Sequence, residues 1–254
     1  MFRKKFHIRL ALRVTYCKCL SLIMNYTTKS TLSLAIAIVF SQIVHGALWT
    51  SGHGDLGIGY EDGGLELHWH LGEDNEPVTL NGTTSPLGPE GAEYDPNGIR
   101  PKLSNLTENI SGTSYYIFPA TENPAVPFIG FGTEELNAAD WTGNLTLSLT
   151  GASGPGSFAL FDIDSFGQVT TLMDSSDGFS TVDSITLAPE THTHYTWAFS
   201  QRGIYDLSFE VSGTHSDGFV TDIATYTIVP EPSTAGLILG VAALALTMAR
   251  RRVS

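Results

Sequence analysis

The chain has 254 residues, with 26 Asp and Glu against 13 Lys and Arg and a formal net charge of −13. The basic residues cluster at the two ends. Between residues 47 and 229 only Arg100, Lys102 and Arg202 are basic, whereas every acidic residue except Glu231 lies there. So acidic a body argues against a nucleic-acid partner, because phosphates are held by Lys and Arg, and favours solubility and attraction for cations.

Residues 1–46 read as a signal peptide. Thr31–Val44 is apolar and about as long as a signal core, Lys29 precedes it, and cleavage after Gly46 fits the small residues there. Met1–Ile23 is either a long basic leader or the product of a start codon assigned upstream of Met24; a retained N-terminal anchor is the competing reading. Both cysteines, Cys17 and Cys19, fall in this segment. The body then has no disulfide framework, no zinc–thiolate site and no cysteine nucleophile. Its length of about 180 residues suffices for one core without staples.

Residues 47–228 read as one all-β domain, an antiparallel β-sandwich. Short alternating runs such as LELHWHL (65–71), SYYIFPA (114–120), SFALFDI (157–163) and IYDLSFEV (204–211) are broken throughout by Gly, Pro, Asn, Asp and Ser. In the first run Leu65, Leu67, Trp69 and Leu71 share one strand face and Glu66, His68 and His70 the other. Asn81–Pro101, rich in Gly, Pro and Asn, reads as a long loop. Glu134–Trp141 reads as a short helix or turn. Asp162-Ile-Asp164-Ser-Phe166-Gly167 opens like a calcium loop, but Phe166 and Met173 stand where such a loop needs oxygen ligands, so a strand-end turn is the better reading.

Residues 192–211 predict a hairpin. A three-residue loop, Gln201-Arg202-Gly203, opposes Phe199 to Tyr205 and Trp197 to Leu207 on an aromatic core face. The polar face then carries His192 and His194, with Glu210 beside His194. Two histidines one residue apart on a strand face are ~7 Å apart at Cα, within reach of a shared transition metal. His53, Asp55, His68, His70, His192 and His194 are therefore candidate ligands of Zn²⁺ or another divalent transition metal. If the two His-x-His strands adjoin, their four imidazoles converge. The alternative is that these are solvated or hydrogen-bonded strand histidines.

The chain closes with Val229-Pro230-Glu231-Pro232, the apolar or small run Ala235–Ala249, and Arg250, Arg251 and Arg252. A helix of that run spans roughly 22 Å, a short single transmembrane helix whose arginines act as a cytoplasmic stop. These three parts in order over residues 229–254 resemble the PEP-CTERM sorting signal of exported bacterial proteins. The resemblance implies Pro230, Glu231 and Pro232 as the sorting motif, an exosortase-type processing enzyme as partner, at least transient membrane attachment, and delivery to the cell surface or matrix.

Thr191-His192-Thr193-His194-Tyr195-Thr196-Trp197-Ala198-Phe199 with Gly203-Ile204-Tyr205 resembles the signature of choice-of-anchor M surface proteins. Ser51-Gly52-His53-Gly54-Asp55-Leu56 and Phe161–Gly167 are similar to the opening and middle of the same domain. That resemblance spans roughly residues 48–228. It implies a secreted β-domain without established enzymatic activity, some of whose relatives accompany metal-uptake transporters.

Three functional readings follow, in order. The first is a non-enzymatic surface or matrix protein, with exopolysaccharide or metal-uptake components as conceivable partners. The second is an extracellular metal-binding protein. The third is a carbohydrate-active enzyme; the chain has no Gly-x-Ser-x-Gly, His-Glu-x-x-His or phosphate-binding glycine loop, and no catalytic residue is assigned.

Overall fold

The computed structural model describes residues 46–230. The signal-peptide reading of residues 1–45 and the tail from Glu231 onward, including Pro232 and the arginine cluster, lie outside the described residues. Within them no helix is long and apolar enough to cross a membrane.

Strands dominate the described residues, in the order β1 (Ala47–Glu61), β2 (Gly64–Glu73), β3 (Pro77–Leu80), β4 (Thr83–Pro86), β5 (Glu90–Tyr94), β6 (Ile99–Leu103), β7 (Thr107–Ile110), β8 (Thr113–Phe118) and β9 (Pro127–Gly132). After a short 3₁₀ turn at Ala138–Asp140 come β10 (Leu145–Ser153), β11 (Phe158–Ile163), β12 (Val169–Asp174), β13 (Ser184–Leu187), β14 (His192–His194), β15 (Thr196–Phe199), β16 (Tyr205–His215) and β17 (Gly218–Pro230). They form a 12-stranded and a 5-stranded sheet. The 3₁₀ turn lies where a short helix is predicted, and Asn137 caps it by accepting the Ala139 N–H.

The fold is all-β and sandwich-like, but the larger sheet is mixed rather than antiparallel. β1 runs parallel to β6 and β9, and β17 runs parallel to β6. The long β1 makes this arrangement. Its register shifts between Trp49 and Ser51, and Gly52 has φ +95°, open to glycine at little cost. A Cβ there would lie 2.9 Å from Val78 Cα. Above the bend β1 pairs with β3 and β6; below it, with β2 and β9.

The core is an aromatic layer between the sheets. Trp197 of the smaller sheet stacks on Phe131 of the larger one at 5.4 Å and meets Phe209 edge-on at 5.8 Å; Phe158 and Phe209 close the cluster at 6.4 Å. All four are fully buried. Such contacts add to the area term through their edge-to-face geometry.

The predicted hairpin is corrected here. β14 pairs with β9 in the larger sheet, and β15 pairs with β11 and β8 in the smaller one. β16 returns to the larger sheet between β10 and β17. Phe199 and Tyr205 do meet, with ring centroids 4.9 Å apart, but they belong to different sheets. Burying one aromatic stripe satisfies a hairpin and a crossover equally, so strand parity does not distinguish them. The crossover is held by Tyr205, whose hydroxyl donates to the Gln201 carbonyl at 2.7 Å. Glu210 consequently pairs with Ser148 and Ile223, far in the sheet order from His194.

The predicted loop at Asn81–Pro101 is also corrected. β4, β5 and the start of β6 lie in it. β4 is exposed along its whole length, so backbone pairing with β3 defines it and no burial pattern marks it. Asp164 forms the predicted strand-end turn, its Oδ1 accepting the N–H groups of Phe166 and Gln168 at 2.8 Å each.

Candidate metal centres

The histidine pairs lie on one face of the larger sheet, as their parity requires. Leu67, Trp69 and Leu71 point into the core, while His68 and His70 point away from it. The strands that carry the pairs do not adjoin. The local order is β14, β9, β1, β2, so two strands separate His192 and His194 from His68 and His70. The four imidazoles therefore do not converge on one point. They divide between two clusters, each completed by residues from other elements.

The first cluster is His53, Asp55, His192 and His194. His192 Nε2 lies 2.7 Å from His194 Nε2 and 3.3 Å from His53 Nε2. Asp55 Oδ1 is 3.5 Å from Nε2 of both His53 and His192. It is shut off from solvent and accepts no hydrogen bond. Four donors about 2.05 Å from a tetrahedral Zn²⁺ stand roughly 3.3 Å from one another. Three of these separations are close to that edge, and the His192–His194 pair needs to open by about half an ångström to match it.

The outer nitrogens of two of these rings also face acids. His53 Nδ1 is 3.5 Å from Glu76 Oε2, and His192 Nδ1 is 3.5 Å from Glu134 Oε1. A carboxylate behind an imidazole orients the ring and selects the nitrogen that faces a metal. Phe128 stacks on His194 at 3.7 Å with the planes 4° apart, which fixes the third ring.

Charge is divided among these rings by their surroundings. Burial, helped by neighbouring His192 and His53, lowers His194 to about 4, so its ring is neutral and offers a lone pair at neutral pH. Burial also presses His53 down, but Asp55, with Glu76 and Glu73, outweighs it and leaves His53 above the ordinary histidine value. Burial raises Glu134, aided by Asp55 and Glu73 against the pull of His192.

The second cluster is His68, His70 and Glu135. Glu135 Oε1 is 3.0 Å from both His68 Nε2 and His70 Nδ1. His70 Nε2 donates to the Glu90 carbonyl at 2.8 Å, which turns Nδ1 toward Glu135. Glu73 Oε1 lies 3.4 Å from the same Nδ1. The bond from Glu135, more than any other influence, raises His70 to about 9, and bonds from His68 and His70 hold Glu135 at about 2.

Strand-spaced glycines clear the room for both clusters. A Cβ on Gly130 would run into Asp55 Oδ1 and lie 2.8 Å from His194 Cε1 and 3.1 Å from His192 Nε2. A Cβ on Gly57 would overlap the His68 ring, and one on Gly59 would stand 2.9 Å from Glu135 Oε2. Gly57/Gly59 and Gly130/Gly132 repeat with a period of two, which is the legible signal of a face kept free of side chains. Glu134 and Glu135, which the sequence reading does not single out, enter from the segment after β9. That segment is pinned by Thr133, whose buried hydroxyl donates to the Ala188 carbonyl at 2.6 Å and accepts the Thr191 N–H at 3.1 Å.

His215 stands apart from both clusters, stacked on Tyr60 at 4.1 Å with Asp217 3.3 Å from its Nδ1. No family model, no curated protein and no solved structure matches the chain.

Proposed function

We propose that this is an exported surface protein that binds a divalent transition metal, Zn²⁺ first, through His53, Asp55, His192 and His194. The observation that carries the reading is the grouping of the His53, His192 and His194 Nε2 atoms beside the buried Asp55 Oδ1, which lies 3.5 Å from the first two and accepts no hydrogen bond. Imidazole and carboxylate donors suit zinc and its neighbours better than calcium, which takes six to eight oxygens. Four protein donors complete a tetrahedron and leave no position for a reacting water, so the centre serves binding or structure rather than hydrolysis. The acidic body favours cation capture.

Isothermal calorimetry of the purified protein with Zn²⁺ tests the reading. Binding at micromolar or lower metal, with its tightest phase lost in the His192→Ala/His194→Ala variant, supports it; a tightest phase unchanged in that variant refutes it. Export and sorting rest on the C-terminal motif. The tail's removal by an exosortase-type enzyme, and the surface location, are expected to fail when Pro230–Pro232 are deleted.

A further inference from the structure

We infer that His68, His70 and Glu135 form a second divalent-metal site on the same sheet face, with three protein ligands and one exchangeable position. The inference rests on the proposed function for the chemistry of the ion, but its residues are separate. His68 Nε2, His70 Nδ1 and Glu135 Oε1 come from two adjacent positions on the β2 face and one opposing segment, so they approach a common point from two sides. The Glu90 carbonyl fixes the His70 ring from behind, as partners of metal-binding histidines do. Gly57 and Gly59 leave the space above β1 empty for the imidazole and the carboxylate. Two histidines and one glutamate are a known zinc donor set whose fourth position takes water or an exogenous ligand. The Glu73 carboxylate lies 3.4 Å from His70 Nδ1 at the edge of this cluster.

The two centres lie side by side. Asp55 of the first and His70 of the second are cross-strand partners, and consecutive Glu134 and Glu135 reach one centre each. The first centre lies over β9 and the second over β2 and β1, one to two strand spacings of ~4.8 Å away. That exceeds the ~3.5–4 Å of metal pairs that share a bridging ligand. The centres are therefore distinct sites, and the three-ligand one binds more weakly and exchanges faster.

The test is metal content and affinity on the full protein after chelator treatment and Zn²⁺ titration, with native mass spectrometry for stoichiometry. Two ions per chain are expected, the second at least tenfold weaker. Glu135→Gln, on an accessible segment, and His70→Gln should each lose the weaker ion and keep the tighter one. His192→Gln should lose the tighter one. Thermal denaturation of each variant without metal checks that it folds. A single ion in the wild type that survives Glu135→Gln and His70→Gln overturns this inference and leaves the first site standing. A single ion lost in Glu135→Gln and kept in His192→Gln overturns the first site and supports this one. Failure to bind any ion overturns both.

Discussion

Asp55 and His70 face each other across β1 and β2, yet each belongs to a different ligand cluster. Asp55 turns toward His53 and His192, and His70 toward Glu135. One strand pair thus forms the border between two centres.

If the first centre takes zinc, the metal stabilises the folded state by mass action. At free zinc 100 times the dissociation constant the gain is about 2.7 kcal/mol. For a body of this size that raises the melting temperature by roughly 5–10 °C. Calorimetric melts with zinc and with chelator measure it, and the rise is expected to shrink in His192→Ala/His194→Ala to what the weaker site supplies.

Gly130→Ala separates space from ligand identity. The added methyl meets Asp55, His194 and His192 while every donor remains. Overpacking costs about 1–3 kcal/mol, read by urea denaturation of the metal-free protein. Zinc affinity should fall at least tenfold, read by competition with a chromophoric chelator.

Thr133→Val should loosen both centres without touching a donor atom. The substitution leaves the Thr191 N–H without its acceptor, at a cost of about 1–3 kcal/mol, while the Ala188 carbonyl keeps the Thr191 hydroxyl. It also weakens the tie between the segment carrying Glu134 and Glu135 and the connection that precedes His192, leaving the backbone bonds of Thr133 to Thr191 and Glu190 to hold it. Weaker zinc binding with unchanged far-ultraviolet circular dichroism is the expected result.

The metal-free protein should show a stability plateau from the His70–Glu135 pair. His70 is raised from 6.5 to about 9, so its contribution is complete below pH 6.5 and is lost as pH rises through about 9. Glu135 is lowered from 4.5 to about 2, so its contribution is complete above pH 4.5 and is lost as pH falls through about 2. Both are present in full between pH 4.5 and 6.5. Denaturant titrations across pH in chelator should show the alkaline decline, and Glu135→Gln should flatten it.

Trp197→Ala tests the aromatic layer between the two sheets. Trp197 is fully buried between Phe131, Phe158 and Phe209. Removing it should cost about 3–5 kcal/mol, measured by urea denaturation, because both sheets lose the same contact.

The sequence by itself determined the all-β class and the face on which the alternating strands carry their histidines. Period-two alternation in LELHWHL sends Leu67, Trp69 and Leu71 inward and His68 and His70 outward, because successive side chains on a strand must face opposite ways. It also named six of the residues in the two clusters, but not the glycines Gly57, Gly59, Gly130 and Gly132 that clear their face. Only the tertiary structure decided the grouping. Which strand lies beside which is set by long-range pairing, and β9 and β1 came between the two His-x-His strands. The same pairing put Trp197 and Leu207 in different sheets and brought in Glu135, which lies 65 residues from the nearer histidine of its cluster. Local alternation carries a residue's face but not its neighbour. For that reason the donors were legible, whereas their division into two centres was not.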